Sequence, residues 1–192
     1  ARFYTYISTL HYVMEACAEN NIKFVVLDRP NPNGNYVDGP ILENEFKSFV
    51  GMHQVPIVHG MTVGEYAQMI NGETWLANGV KCDLEVIKMQ NYTHQTEYEL
   101  PIKPSPNLAN MQAILLYPSL CLFEGTPISV GRGTEKPFQW IGNPKLKSDF
   151  MFVPKSMEGA KEPLLKGETC YGLNLSAVSV KKELDLSYLI SF

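Results

Sequence analysis

The sequence predicts an α/β protein, and three observations carry that prediction. Ile7, Leu10, Val13, Met14 and Cys17 recur at helical spacing in YISTLHYVMEACAEN. The Val-rich run KFVVLD follows at once and reads as a short buried strand. A second apolar run, QVPIVHG, is again followed closely by a helical pattern, EYAQMIN. Helix and strand alternating at such tight spacing is the pattern of α/β wrapping.

Each element has a local reason. Asn20 and Asn21 supply the stop of the first helix. The strand KFVVLD ends at Asp28 and runs into DRPNPNG, a stiff polar loop with two prolines. Residues 35–54 read as an irregular excursion. QVPIVHG ends at His59. Thr62 and Glu65 in TVGE form an S/T-x-x-E capping box that starts the second helix, and Gly72 suits its end. CDLEVIKM, residues 82–89, is a further strand. The polar, proline-rich NYTHQTEYELPIKPSPN reads as a connection, placing a boundary near residue 103 between subdomains 1–103 and 104–192. Beyond it, Pro118 is expected to open a short helix, PSLCLFEG, with Gly125 just past its end. PISVGRGTEKPFQWIG reads as two strands around the polar loop GRGTEKP. MFVP and TCYGLNLSAVSV add β character.

The bulk numbers narrow the function classes. The chain has 192 residues, 45% of them hydrophobic and 19% charged, ordinary for a globular protein with a real core. A net charge of −4 and the lack of a basic run argue against nucleic acid as a partner. No apolar stretch is long enough to span a bilayer. Cys17, Cys82, Cys121 and Cys170 form no C-x-x-C pair, which argues against a zinc or redox motif, and each reads as a small buried residue. Both ends read as cut: the chain opens on ARFYTY without a start methionine and stops in the apolar LDLSYLISF. The expectation is a fragment of a longer protein.

Several residues are candidates for chemistry. Asp28 ends a strand, and the carboxyl ends of strands are where open α/β sheets bind ligands. The alternative is that Asp28 and Asn31 only cap their turn. His59 also ends a strand and could share a crevice with Asp28, with an imidazole suited to proton transfer, although a lone histidine is often structural. Glu65 is explained by its capping box. Glu124, in LFEGTP, sits at a helix end where the dipole disfavours a carboxylate, a placement that hints at function. In GRGT, Arg132 is presented between two glycines as a planar fork suited to a carboxylate, or the segment is a plain hairpin turn. Arg2, Tyr4 and Tyr6 in RFYTY suit a sugar, through stacking and hydrogen bonds, or pack as an aromatic helix entry. There is no G-x-S-x-G, H-E-x-x-H, P-loop or G-x-G-x-x-G. Serine hydrolase, zincin, nucleotide-binding and nicotinamide-dependent readings are therefore disfavoured.

Taken together, RFYTYISTLHYVMEA, VLDRPNPNG, DGPILE, FVGMHQVPIVHGMTVGEYAQMIN, LPIKPSPNLANM, LYPSLCLFEGT and SVGRGTEKPFQWIG resemble one bacterial family. It contains exo-acting β-N-acetylmuramidases, which remove terminal N-acetylmuramic acid from peptidoglycan fragments. The resemblance runs from residue 1 to about residue 143 and more loosely to the end. It implies a partial Rossmann-like subdomain followed by a smaller mixed α/β subdomain, an active site in a cleft, no metal and no cofactor. It also implies a peptidoglycan-derived sugar as partner and a periplasmic or secreted, cell-envelope setting.

The family's upstream half contains a Pro-Glu-His-Gly segment with the proposed catalytic glutamate, and no position here matches it. The chain is therefore expected to be a central and C-terminal fragment lacking the upstream part, one that can be inactive alone. Carried over by motif are Asp28, His59 and Glu124 as catalytic candidates. Arg2, Tyr4, Tyr6, Arg29, Asn31, Asn107 and Arg132 are carried over as substrate-binding candidates. The lactyl carboxylate of muramic acid calls for a cation, with Arg132, Arg2 or Arg29 as the choices. Glycoside hydrolysis normally uses two carboxyl groups, of which Glu124 or Asp28 could be one, unless the acetamido group assists its own cleavage. The rival readings are a non-catalytic envelope protein that binds the same fragments and a plain structural domain.

Overall fold

The computed structural model describes residues 5–192 and is mixed α/β, with several small sheets. It divides into two compact units, Ala1–Tyr98 and Glu99–Phe192.

In the first unit, helix α1 (Tyr6–Glu19) buries Ser8, His11 and Met14. It ends where Asn21 takes the left-handed conformation, φ 54°, and the Ile22 N–H reaches back to the Cys17 carbonyl. Strand β1 (Phe24–Leu27) follows. Strands β2 (Asp38–Ile41) and β3 (Pro56–Val58) pair antiparallel in a small sheet of their own. The excursion expected over 35–54 thus contains a strand. Helix α2 (Val63–Gly72) leads to β4 (Leu84–Ile87), which lies parallel to β1 with Phe24 opposite Leu84 and Leu27 opposite Ile87. Parallel neighbours need a crossover, and α2 packs against both strands as that crossover. The unit's core gathers Met14 from α1, Val26 from β1 and Tyr66, Ala67 and Ile70 from α2, with Val55, Leu76 and Cys82.

In the second unit, helix α3 spans Met111–Leu120. Asn110 caps it, its side-chain oxygen accepting the Ala113 N–H at 3.0 Å. Pro118, expected to open a helix, lies inside this one. Proline forfeits an N–H there, but Ala113, Leu116, Tyr117 and Leu120 are buried and hold the helix in place. The backbone tightens to a 3-10 turn at Cys121–Gly125 immediately afterwards. Strands β5 (Trp140–Asn143), β6 (Phe150–Phe152) and β7 (Cys170–Asn174) form an antiparallel sheet in the order β5-β7-β6. A short helix α4 (Ser187–Ser191) closes the unit. Of the two strands expected around GRGTEKP, only β5 forms. The other side is reduced to one bridge between Ser129 and Gly142, because the chain turns at Gly131 and Gly133, with φ 75° and 80°. A Cβ on Gly133 would fall 2.5 Å from the Lys155 carbonyl, so this loop is closely packed.

The four cysteines are free; three are buried and Cys17 is half-buried. Among the described residues no helix is long and apolar enough to cross a membrane.

Candidate functional site

The carboxyl ends of β1 and β4 open onto a cavity of about 260 Å³ lined by Asp28, Thr62, Glu65, Lys88, Tyr92 and His94, among others. Asp28 sits one residue past β1, its N–H bonded to the Ile87 carbonyl. Its carboxylate is fully engaged. Oδ1 accepts the N–H groups of Gly64 at 2.8 Å and Arg29 at 2.9 Å, and Oδ2 accepts the Thr62 hydroxyl at 2.8 Å. Asp28 is thus a second cap on α2, placed where the helix dipole favours a negative charge. A close approach at Gly64 allows it: a Cβ there would lie 2.6 Å from Val86 and 2.8 Å from the Asp28 carboxyl carbon.

The capping box read from TVGE is present. Thr62 Oγ1 accepts the Glu65 N–H at 3.2 Å, and Glu65 Oε2 accepts the Thr62 N–H at 2.9 Å. The other Glu65 oxygen pairs with His94 Nε2 at 2.9 Å, while His94 Nδ1 bonds the Gly34 carbonyl at 2.8 Å. Both partners of this ring are acceptors, so both nitrogens carry protons. The Glu65 hydrogen bond and the Gly34 carbonyl raise the His94 pKa above its ordinary value, as that geometry requires. One chain of contacts therefore joins Asp28, Thr62, Glu65, His94 and Gly34.

Asn31 stitches the DRPNPNG loop to its surroundings. Its Nδ2 donates to the Met61 carbonyl, its Oδ1 accepts the Asn33 N–H, and its backbone N–H donates to the Tyr92 hydroxyl. Arg29 is exposed, and Tyr6 opens α1 with its ring exposed. Arg2 and Tyr4 lie outside the described residues.

His59 follows β3, in a different sheet from Asp28, and is not part of the cavity lining. Its Nδ1 accepts the Met61 N–H at 3.2 Å, which places the proton on Nε2. Burial pushes its pKa down to about 3. The ring meets Tyr66 edge-on at 5.0 Å.

In the second unit, Glu124 and Arg132 pair with each other. Arg132 Nε and Nη2 lie 2.9 and 2.7 Å from Glu124 Oε1, and the guanidinium carbon stands 5.0 Å from the centre of the Phe138 ring. Glu124 Oε2 and Arg132 Nη1 have no hydrogen-bond partner among the described residues. Asn107 is 7% exposed and donates through Nδ2 to the Gly159 carbonyl at 2.9 Å, pinning the 157–160 turn. No group of three or more metal-ligating side chains occurs among the described residues.

The comparisons with known proteins place this geometry in a family. The profile described as exo-β-N-acetylmuramidase NamZ, N-terminal, matches residues 1–112, and its C-terminal counterpart matches residues 115–189. The chain belongs to the NamZ family. The expectation of a central and C-terminal fragment lacking the family's amino-terminal part is corrected, because both NamZ domains are represented and together take in nearly the whole chain. A curated relative, the peptidoglycan β-N-acetylmuramidase NamZ of Bacillus subtilis (strain 168), is 49% identical over 152 residues, covering 77% of this chain and 36% of that protein. Two crystal structures of DUF1343 family proteins from Bacteroides fragilis NCTC 9343 are similar. One has a TM-score of 0.96 at 56% identity, over 99% of this chain and 55% of that one. The other has a TM-score of 0.80 at 29% identity, over 98% and 52%. The chain therefore spans about a third of the length of the curated relative and about half that of the solved structures.

His94, Thr62, Tyr92 and Lys88 were not singled out for chemistry in the NamZ-like sequence. Only the capping box marked Thr62. Nothing local marks His94, whose carbonyl partner is 60 residues away.

Proposed function

We propose that the protein is a glycoside hydrolase that releases N-acetylmuramic acid from the non-reducing end of peptidoglycan fragments, in the cell envelope. Membership of the NamZ family carries this reading: profiles for both family domains match, and the Bacillus relative bears the corresponding name. The parallel β1–β4 pair with α2 as crossover supports a Rossmann-like first subdomain.

Within this reading Asp28 is a positioning residue. Three donors already hold its carboxylate, and its task is to fix α2 and the loop at the cavity mouth. Glu124 keeps Oε1 paired with Arg132 and has Oε2 left to act on the sugar, while Arg132 presents its remaining N–H groups. His59 acts as a donor through Nε2. Asn31 and Asn107 shape the loops, and the acetamido group of the sugar can supply the second carboxyl's role.

The engagement of every cavity carboxylate oxygen in the first unit favours one rival, a protein that binds the same sugar without turnover. Incubation with a chromogenic β-N-acetylmuramide and the matching β-N-acetylglucosaminide decides between them. Release from the muramide alone is expected. Binding of muramic acid by calorimetry, with release from neither, moves the reading to the binding protein.

A further inference from the structure

The first-unit cavity holds four charged side chains, and three of them are committed to the protein. Asp28 accepts three hydrogen bonds. Glu65 is bonded through both oxygens. His94 is bonded through both nitrogens. The fourth, Lys88, has no acidic partner among the described residues, and the Gln68 amide beside it in the lining has no hydrogen bond among them either.

The placement of Lys88 follows from strand register. Val26 pairs with Val86 and Leu27 with Ile87, so the next residues along the two parallel strands are Asp28 and Lys88. Paired residues of neighbouring strands point to the same side. Val86 and Asp28 both meet α2 at Gly64, so Lys88 belongs to the row facing the N-terminal turn of that helix. The ammonium thus stands at the carboxyl end of a parallel pair, where ligands of open α/β sheets bind. Val86 and Met89 supply apolar wall nearby.

We propose that Lys88 reads the anionic substituent of the ligand, so that the cavity takes a carboxylate-bearing, hydroxylated sugar, with the Gln68 amide bonding a neighbouring hydroxyl or acetamido group. This rests on the muramic acid reading above and deepens it. The lactyl carboxylate is taken by a lysine rather than by Arg29 or Arg132, neither of which lines this cavity. A lysine suits the task as a mobile point charge that can follow a freely rotating lactyl ether.

The test measures binding of N-acetylmuramic acid and N-acetylglucosamine by calorimetry to the chain and to its Lys88→Met and Lys88→Arg variants. Lys88 is exposed, so neither substitution disturbs the core. The unaltered chain should prefer the muramic acid by about five- to tenfold, as one charged hydrogen bond in a half-open site allows. Lys88→Met should bring the two sugars within about twofold of each other, and Lys88→Arg should keep most of the preference. A preference unchanged in Lys88→Met overturns the assignment, and so does an unaltered chain that binds both sugars equally or binds neither. Lys88-dependent binding without cleavage of the chromogenic muramide would sink the hydrolase and leave Lys88 standing. Cleavage with an unchanged preference in Lys88→Met would do the reverse.

Discussion

At the residue scale, the contact between Gly64 and Asp28 decides the geometry of the cavity. Gly64 lies in the first turn of α2, and its missing side chain lets that turn sit directly on Val86 and Asp28. Gly64→Ala places a methyl carbon inside both, and neither gives way easily: one is a strand valine, the other a carboxylate already fixed by three donors. The expected outcome is a loss of about 1–3 kcal/mol of stability, with α2 displaced from Asp28. A urea titration that finds Gly64→Ala as stable as the parent protein would refute this. Such a contact cannot be read in one dimension. The sequence shows an Asp at a strand end and, 36 positions on, a Gly two residues after a threonine, and only the fold joins them by a hydrogen bond. His94 was missed for the same reason. In contrast, Glu65 was legible because its capping partner is three residues away.

At the scale of elements, legibility follows the range of the forces. Helix α1, strand β1, helix α2 and strand β4 are set by local periodicity and local caps, and they lie where the pattern put them. Strand β2 carries a glycine and a proline and is a strand because β3 lies beside it. The start of α3 was hidden by Pro118, which draws attention away from the cap at Asn110. Helix α2 gives the sharpest test, because its cap is also the joint of the cavity. The buried Thr62 hydroxyl accepts from Glu65 N–H and donates to Asp28. Thr62→Ala should therefore cost about 2 kcal/mol, at the upper end for an N-cap. Thr62→Ser, which keeps the hydroxyl, should recover most of it. Equal denaturation midpoints for the two variants would show that the hydroxyl carries no weight.

At the scale of the whole molecule, all four histidines, His11, His53, His59 and His94, fall in the first unit, so its response to pH between 5 and 8 differs from that of the second. Three of them are held neutral. His11 and His53 are hydrogen-bonded at 2.9 Å in a buried chain running from Glu15 to Tyr66. Glu15 accepts from His11 Nε2, which leaves His11 Nδ1 to accept from His53 Nε2 and His53 Nδ1 to accept from the Tyr66 hydroxyl. Burial lowers His11 and takes His53 to about 4, as it takes His59 to about 3. The unfolded chain binds protons near 6.5. Stability from these groups is therefore present above about pH 6.5 and is lost as pH falls towards their folded values, for His53 and His59 at up to roughly 1.4 kcal/mol per pH unit each. His94 acts in the opposite sense. Its pKa is raised, so its contribution is complete below about pH 6.5 and is lost as pH rises through the folded value. The first unit should then be most stable near pH 6.5, falling steeply on the acid side and gently on the alkaline side. Trp75 stacks on His53 at 4.8 Å and reports on this unit, while the other tryptophan, Trp140, lies in the second. Urea unfolding followed through Trp75 in a Trp140→Phe background should show that asymmetric maximum. His94→Gln should abolish the alkaline decline and leave the acid limb in place. A stability that stays level from pH 6.5 down to pH 5 would mean that burial does not hold these histidines neutral.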